Sequence, residues 1–341
     1  MQVTLKELAR RLNISPSTVS RALHDHPKIA STTKAAVLKL ARELDFQPNP
    51  LALNLRMQRS KNIGVIVPKI SYPFYASAIS GIESVAIREG YNIIICQSEE
   101  SYEREVANTK SLTTSRVDGV IVSLAGQTKD YGHFKDILQK KIPLIFFNRE
   151  CEALDTPKVV IDNVEAAQKA VSTLIQSGCE RIAILAGPQA IHISNQRIEG
   201  YYKALSSYDK QARHDLIFHC DYSEDSAYQN TLDMLKKSEI PDAIFAVSDR
   251  LAIAAIRALK AKGLNIPNDI SVMGFNNDPV TTIVEPQLAT VDQTPYLMGQ
   301  KAAELFFYKL EKPDAPSQKV VMPVQIIKRA SLRVLQKSPT N

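Results

Sequence analysis

Ser15-Pro16-Ser17-Thr18-Val19-Ser20-Arg21-Ala22-Leu23 is the stretch that decides how this chain is read. Ser15 supplies a side-chain acceptor just ahead of a helix, and Pro16 fits the first helical position, where an N–H has no intrahelical partner anyway. Val19, Ala22 and Leu23 fall on one face, leaving Ser17, Ser20, Arg21 and His24 outward. Small polar side chains let a helix backbone approach a major groove, and an Arg reaches a guanine edge or a phosphate. Upstream, Thr4 and Glu7 have capping-box spacing, which predicts a helix from Leu5 with Leu5, Leu8, Ala9 and Leu12 as its apolar face. Asn13 suits a left-handed residue in the turn between the two helices. Downstream, residues 32–44 offer Val37, Leu40, Ala41 and Leu44 as a third core face. Three short helices with a brief first turn make a helix-turn-helix domain.

Charge agrees. Ten of the 42 Lys/Arg and four of the 36 Asp/Glu lie in residues 1–60, so that segment carries the whole net +6 and residues 61–341 balance at 32 against 32. A charge bias alone would describe many solvated helical faces. Joined to the helix pattern, it marks a phosphate-binding module.

Asn49-Pro50-Leu51-Ala52-Leu53-Asn54-Leu55 repeats the N-cap-then-Pro start, but the segment is too short to be a stable helix in isolation. By itself it reads as a linker with helical tendency. From Asn62 the pattern changes to short apolar runs at residues 63–67, 91–96, 120–122, 144–147, 181–185, 243–247 and 271–275, with amphipathic helices between most of them. That alternation predicts parallel, doubly wound sheets. About 280 residues exceed one such sheet, so two lobes are expected, with a ligand at the carboxyl ends of the strands. No Gly-x-Gly-x-x-Gly, Walker-type or Gly-x-Ser-x-Gly motif is present, and the six His and four Cys (Cys96, Cys151, Cys179, Cys220) have no metal-ligand spacing. Neither an enzyme, a metal site nor a bound cofactor is expected. With no apolar run of spanning length and no secretory leader before the first basic helix, the reading is cytoplasmic.

Val3-Thr4-Leu5-Lys6-Glu7-Leu8-Ala9, Ile14 through Leu23, and Phe46-Gln47-Pro48-Asn49 resemble the head of the lactose-repressor/galactose-repressor (LacI/GalR) family of bacterial transcription factors. The resemblance continues through Ile63-Gly64-Val65-Ile66-Val67-Pro68, Val117-Asp118-Gly119-Val120-Ile121 and the stretch from Gly263 to Phe275, and covers nearly the whole chain. It implies an all-α helix-turn-helix head on an α/β two-lobed core like a periplasmic sugar-binding protein. The implied domains are a DNA-binding head at 1–48, a hinge at 49–60 and an effector-binding and dimerisation core at 61–341. The core's N-terminal lobe would take 61–161 and 292–321, and its C-terminal lobe 162–291 and 322–341.

The DNA-contact set implied is Thr4, Ser15, Pro16, Ser17, Thr18, Ser20, Arg21, His24, Asn49, Ala52 and Leu55, with Leu55 as a minor-groove wedge on a hinge that folds on the operator. Effector positions map onto Phe74, Ser123, Asn148, Ile191, Ile193, Arg197, Tyr222, Ser248, Asn276 and Gln293. Arg197 is the expected anchor, because a guanidinium forks onto paired hydroxyls or a carboxylate. Asn148 and Asn276 stand where the family usually has Asp, which predicts a pocket less suited to a neutral polyol and more tolerant of a sugar acid or sugar phosphate.

The reading is therefore a ligand-responsive transcriptional repressor of carbohydrate-utilisation genes. It binds a pseudo-palindromic operator in double-stranded DNA as a homodimer, with a small-molecule effector between its lobes. The alternatives are a family member controlled by a partner protein and, from another class, a sugar-binding transport component.

Overall fold

The structure, a computed structural model, describes residues 3–46 and 59–334. The hinge positions Asn49, Ala52 and Leu55 lie outside the described residues. The chain forms two compact units that divide between residues 60 and 61.

In the first unit, α1 (Leu5–Leu12) starts on Thr4, whose Oγ1 accepts the Glu7 N–H at 3.3 Å. The capping box is only half made: the Glu7 carboxylate takes Arg10 and Arg11 at 2.8 to 3.0 Å rather than reaching back to Thr4. Charge-assisted bonds to guanidinium outcompete a neutral amide donor. Asn13 closes the helix at φ 52°, ψ 42°. Ser15 caps α2 (Pro16–Leu23) by accepting the Thr18 N–H at 3.1 Å. The third helix, α3 (Ser31–Glu43), begins one residue before the expected start, with no side-chain cap. Leu8, Ala9, Val19, Ala22, Val37 and Ala41 are buried together as this unit's core.

The second unit contains two parallel sheets. The first holds β1 (Asn62–Val67), β2 (Asn92–Gln97), β3 (Gly119–Val122), β4 (Leu144–Phe147), β5 (Lys158–Ile161) and β11 (Lys319–Met322), in the order β11-β5-β4-β3-β1-β2. The second holds β6 (Ile182–Ala186), β7 (Ile217–His219), β8 (Ala243–Ala246) and β9 (Ser271–Met273), in the order β7-β6-β8-β9. Each sheet reverses strand order beside its first strand, the arrangement that opens a crevice at the carboxyl ends. Helices α4 (Pro73–Arg88), α5 (Tyr102–Thr114), α6 (Gly132–Gln139) and α11 (Pro295–Glu311) pack on the first sheet. Helices α7 (Asn163–Gln176), α8 (His192–Ser207), α9 (Glu224–Met234) and α10 (Asp249–Ala261) accompany the second. A short antiparallel pair joins β10 (Thr290–Asp292) to β12 (Gln325–Ile327).

The chain passes between the sheets after β5, after β10 and between β11 and β12. The second passage returns α11 against α4. Gly81 and Gly299 allow that approach, since a Cβ on Gly81 would fall on the Tyr296 carbonyl and one on Gly299 on the Ala78 carbonyl.

The seven strands expected from apolar runs are present within a residue or two at their ends. Five others carried no such signal. Strands β7, β10 and β12 are three residues long, while β5 and β11 are four-residue segments that begin with Lys. No helix separates β4 from β5, so the strand-helix alternation fails there.

Candidate functional site

Both sheets present their carboxyl ends to one cleft. Phe74 and Tyr75 follow β1 in the first turn of α4, and Asn148 and Arg149 follow β4. From the other sheet come Ile193 and Arg197 on α8, Tyr222 after β7, Val247 and Ser248 after β8, and Asn276 and Asp278 after β9; Gln293 follows β10. These side chains converge on one solvent-open cleft, with polar groups set among aromatic and apolar walls as in small-molecule sites.

Arg197 is 3% exposed and has no carboxylate partner among the described residues. Its Nε donates to the Asn163 Oδ1 at 2.9 Å, its Nη1 to the Val247 carbonyl at 2.7 Å, and its guanidinium carbon lies 3.8 Å from the centre of the Phe275 ring. Burial pulls its pKa down to about 10, which still leaves it charged at neutral pH. Glu199, the obvious ion-pair candidate in sequence, instead holds Lys203 at 2.8 Å. A buried cation ringed by neutral acceptors on a cleft wall is arranged for a ligand's oxygens.

Eight of the ten mapped effector positions line this cleft: Phe74, Asn148, Ile193, Arg197, Tyr222, Ser248, Asn276 and Gln293. Ser123 does not. It is fully buried behind Tyr75, whose hydroxyl lies 3.3 Å from its Oγ and takes the Asn148 Nδ2 at 3.2 Å. Ile191 lines an adjoining compartment that shares Asn148, Arg149 and Ile193 with the first. Ser248 caps α10, accepting the Leu251 N–H at 3.5 Å. Tyr222 sits at φ 66°, an uncommon conformation for a bulky residue, and its hydroxyl meets Ser194 at 3.0 Å over Gly187, where a side chain would collide with the ring.

The sequence reading missed Tyr72, Tyr75, Arg149, Val247, Arg250 and Asp278. Tyr75 adjoins a position already singled out, and Arg149 follows Asn148 directly, so strand-end placement was an available signal for both. Arg149 is forked onto Glu100 at 2.6 and 3.1 Å. Nothing local marks Asp278.

In the head, Thr4, Ser15, Pro16, Ser17, Arg21 and His24 are exposed, and Thr18 and Ser20 half-buried. The hydroxyls of Ser17 and Thr18 lie 2.7 and 2.8 Å from the Ser15 Oγ, a polar cluster at the start of α2. Arg21 has no ion pair among the described residues, so its fork is open to solvent.

Residues 4–49 match the model described as bacterial regulatory proteins, lacI family, and residues 60–330 match periplasmic binding proteins and sugar binding domain of LacI family. The chain belongs to the LacI family. Catabolite control protein A of Priestia megaterium is 32% identical over 98% of this chain and 100% of its own length. The probable repressor ExuR of Bacillus subtilis is 33% identical over 98% and 99%. Among solved structures, the lac repressor dimer bound to operator and an anti-inducer superposes with a TM-score of 0.88 at 24% identity over 97% of this chain and all of that one, a likeness of fold. The CelR–cellobiose complex gives 0.74 at 25% identity over the same shares. As a LacI-family member the protein is a ligand-responsive, DNA-binding transcriptional repressor and not an enzyme. No helix among the described residues is long and apolar enough to cross a membrane.

Two acids give this LacI-family core a pH signature. Asp249 is fully buried, accepting from Thr290 at 2.6 Å and from the Asp278 N–H at 2.8 Å, and burial pushes its pKa up to about 6. Asp278 is pushed up to about 7 by burial and by the charge of Asp249, with Arg250 pulling the other way. The folded core thus keeps protons that an unfolded chain, with Asp near its ordinary 3.8, has already released. Stability from this source is greatest at low pH and is lost as the pH rises through the folded values, becoming complete loss above about 7. Melting curves at about pH 5.5 and about pH 8 are expected to differ less for Asp278→Asn than for the unmodified protein. Equal differences would show that Asp278 does not titrate there.

Proposed function

We propose that the protein represses carbohydrate-utilisation genes in the cytoplasm and is controlled by a sugar held in the cleft around Arg197. The observation that carries this is the buried guanidinium itself, charged, without a carboxylate, and on a wall shared with aromatic rings and amide groups. Polyols match such a wall, because each hydroxyl both accepts from Arg and donates to a nearby oxygen. Relatives support the same reading: one structural neighbour is a cellobiose complex, another carries bound ribose, and one relative is a ribose operon repressor. Of the three effector forms considered from sequence, the neutral sugar now has the better support. Asp278 brings to the cleft a carboxyl that the amides at 148 and 276 do not supply.

In this reading Pro16, Ser17 and Arg21 face the bases, with the hydrogen bonds left to Ser17 and Arg21 because proline has no donor; Ser15, Thr18 and Ser20 hold phosphates with Asn49, and Thr4 and His24 complete the DNA-contact set. Ala52 and Leu55 act from the hinge. Residues 61–161 with 292–321, and 162–291 with 322–341, form two lobes whose closure on the effector changes the spacing of the paired heads.

Fluorescence anisotropy on DNA from upstream of the protein's own gene and its neighbours tests the first half. Binding that survives excess random DNA and falls steeply with salt is expected. Arg21→Ala should weaken it about 10-fold to 100-fold, the worth of one bidentate base contact. Equal, weak binding to every sequence, with or without sugars, would overturn the operator assignment.

A further inference from the structure

We propose that Asp278 is the specificity-determining acid of the cleft, and that its carboxylate takes a pair of adjacent hydroxyls on the effector. The inference rests on the sugar reading of the cleft and adds which group selects the ligand.

Other acceptors around the cleft have donors: the Asn276 Oδ1 accepts the Gln293 Nε2 at 2.7 Å and the Val247 carbonyl accepts the Arg197 Nη1, while Asn148 donates its Nδ2 to the Tyr75 hydroxyl and presents a neutral amide oxygen. Asp278 differs. It is 5% exposed, lines the cleft, and its carboxyl has no hydrogen-bond or ion-pair partner among the described residues. A nearly buried carboxylate left without donors is costly and calls for an explanation. A ligand rich in O–H donors, seated in the cleft that Asp278 lines, supplies them.

The backbone holds Asp278 in place. Its N–H donates to the Asp249 carboxylate, its carbonyl accepts the Thr281 Oγ1 at 2.6 Å, and Pro279 follows it. Asp249 in turn is locked by Thr290, and a side chain on Gly274 would fall on its Oδ1. The carboxyl is therefore presented by a fixed scaffold, as a recognition group should be. Two carboxylate oxygens accept two hydroxyl protons side by side, while Arg197 donates to oxygens elsewhere on the ligand. An effector that placed its own carboxylate or phosphate at this end would face like charge.

The charged groups around Asp278 are few. Asp249 and Arg250 come from α10, and Arg329, from the segment after β12, acts on Asp249. Arg250 lies 4.8 Å from the Tyr72 ring centre and 3.8 Å from Glu224, so it is shared outward. Protonation of Asp278 removes an acceptor, so effector affinity should fall as the pH drops below about 7.

The test is thermal shift of the full-length protein with ribose, glucose, cellobiose, glucuronate and glucose 6-phosphate, each at about pH 6 and about pH 8. It is run on the unmodified chain, Asp278→Asn and Asp278→Ser, with the unliganded melt and operator binding confirming that each variant folds. At least one neutral sugar is expected to stabilise the unmodified protein, more at the higher pH. Both variants should bind it about tenfold or more weakly, without that pH dependence. Equal stabilisation of variant and unmodified protein overturns the role of Asp278 while leaving the sugar reading intact. Stabilisation by glucuronate or glucose 6-phosphate alone, stronger at the lower pH, overturns it in favour of an acidic effector. No response of the unmodified protein to any of the five overturns the sugar reading and this inference together.

Discussion

An Arg197→Ala protein is expected to bind operator normally and to be deaf to its effector. The guanidinium is buried, donates to Asn163 and Val247, and lies on Phe275. Truncation removes the cleft's unpaired positive group and leaves two interior acceptors without a donor. A hydrogen bond to a charged group contributes about 1.5–3 kcal/mol, so losing two that the effector would make weakens it on the order of 100-fold or more. Arg197→Lys should not restore the response, because an ammonium cannot reproduce a planar fork stacked on a ring. Effector titrations of the operator complex measure both variants. Full release by effector in Arg197→Ala would remove this residue from the site.

Leu8→Ala should give the opposite phenotype, with operator binding lost and effector binding kept. Leu8 is fully buried in a core of six buried residues among those described in the head. Truncating a buried Leu typically costs about 2–5 kcal/mol, and a unit of this size has few kcal/mol of stability to lose. The two compact units divide at residue 60, so the defect should stay in the head. Circular dichroism melts of the full chain are expected to show an early head transition with the main transition unmoved. Anisotropy should show at least a tenfold loss of operator affinity. A single transition shifted as a whole would mean that the two units unfold together.

The head was legible because its signals are local. Thr4, Asn13, Ser15 and Pro16 each act on atoms within four residues, and the structure places each cap where the spacing put it. The Glu7 half of the capping box failed because two arginines one turn on made a stronger offer. In the core, long apolar runs announced buried central strands, whereas β5, β7, β10, β11 and β12 depend on partners far away in sequence. Strand β11 forms only because residues 158–161 lie open beside it.

Sequence alone determined that this chain has a basic helix-turn-helix head and two parallel α/β sheets; the arginine at position 197 was singled out only through the family resemblance. Composition, helix spacing and short apolar runs are read without knowing what lies nearby. Tertiary structure alone decided which side chains meet. It withdrew Ser123 behind Tyr75 and brought Asp278 into the cleft. The placement of Asp278 depends on a hydrogen bond to Asp249, twenty-nine positions away on α10. A residue's burial, and with it the strength and selectivity of its charge, is set by neighbours that chain order does not list.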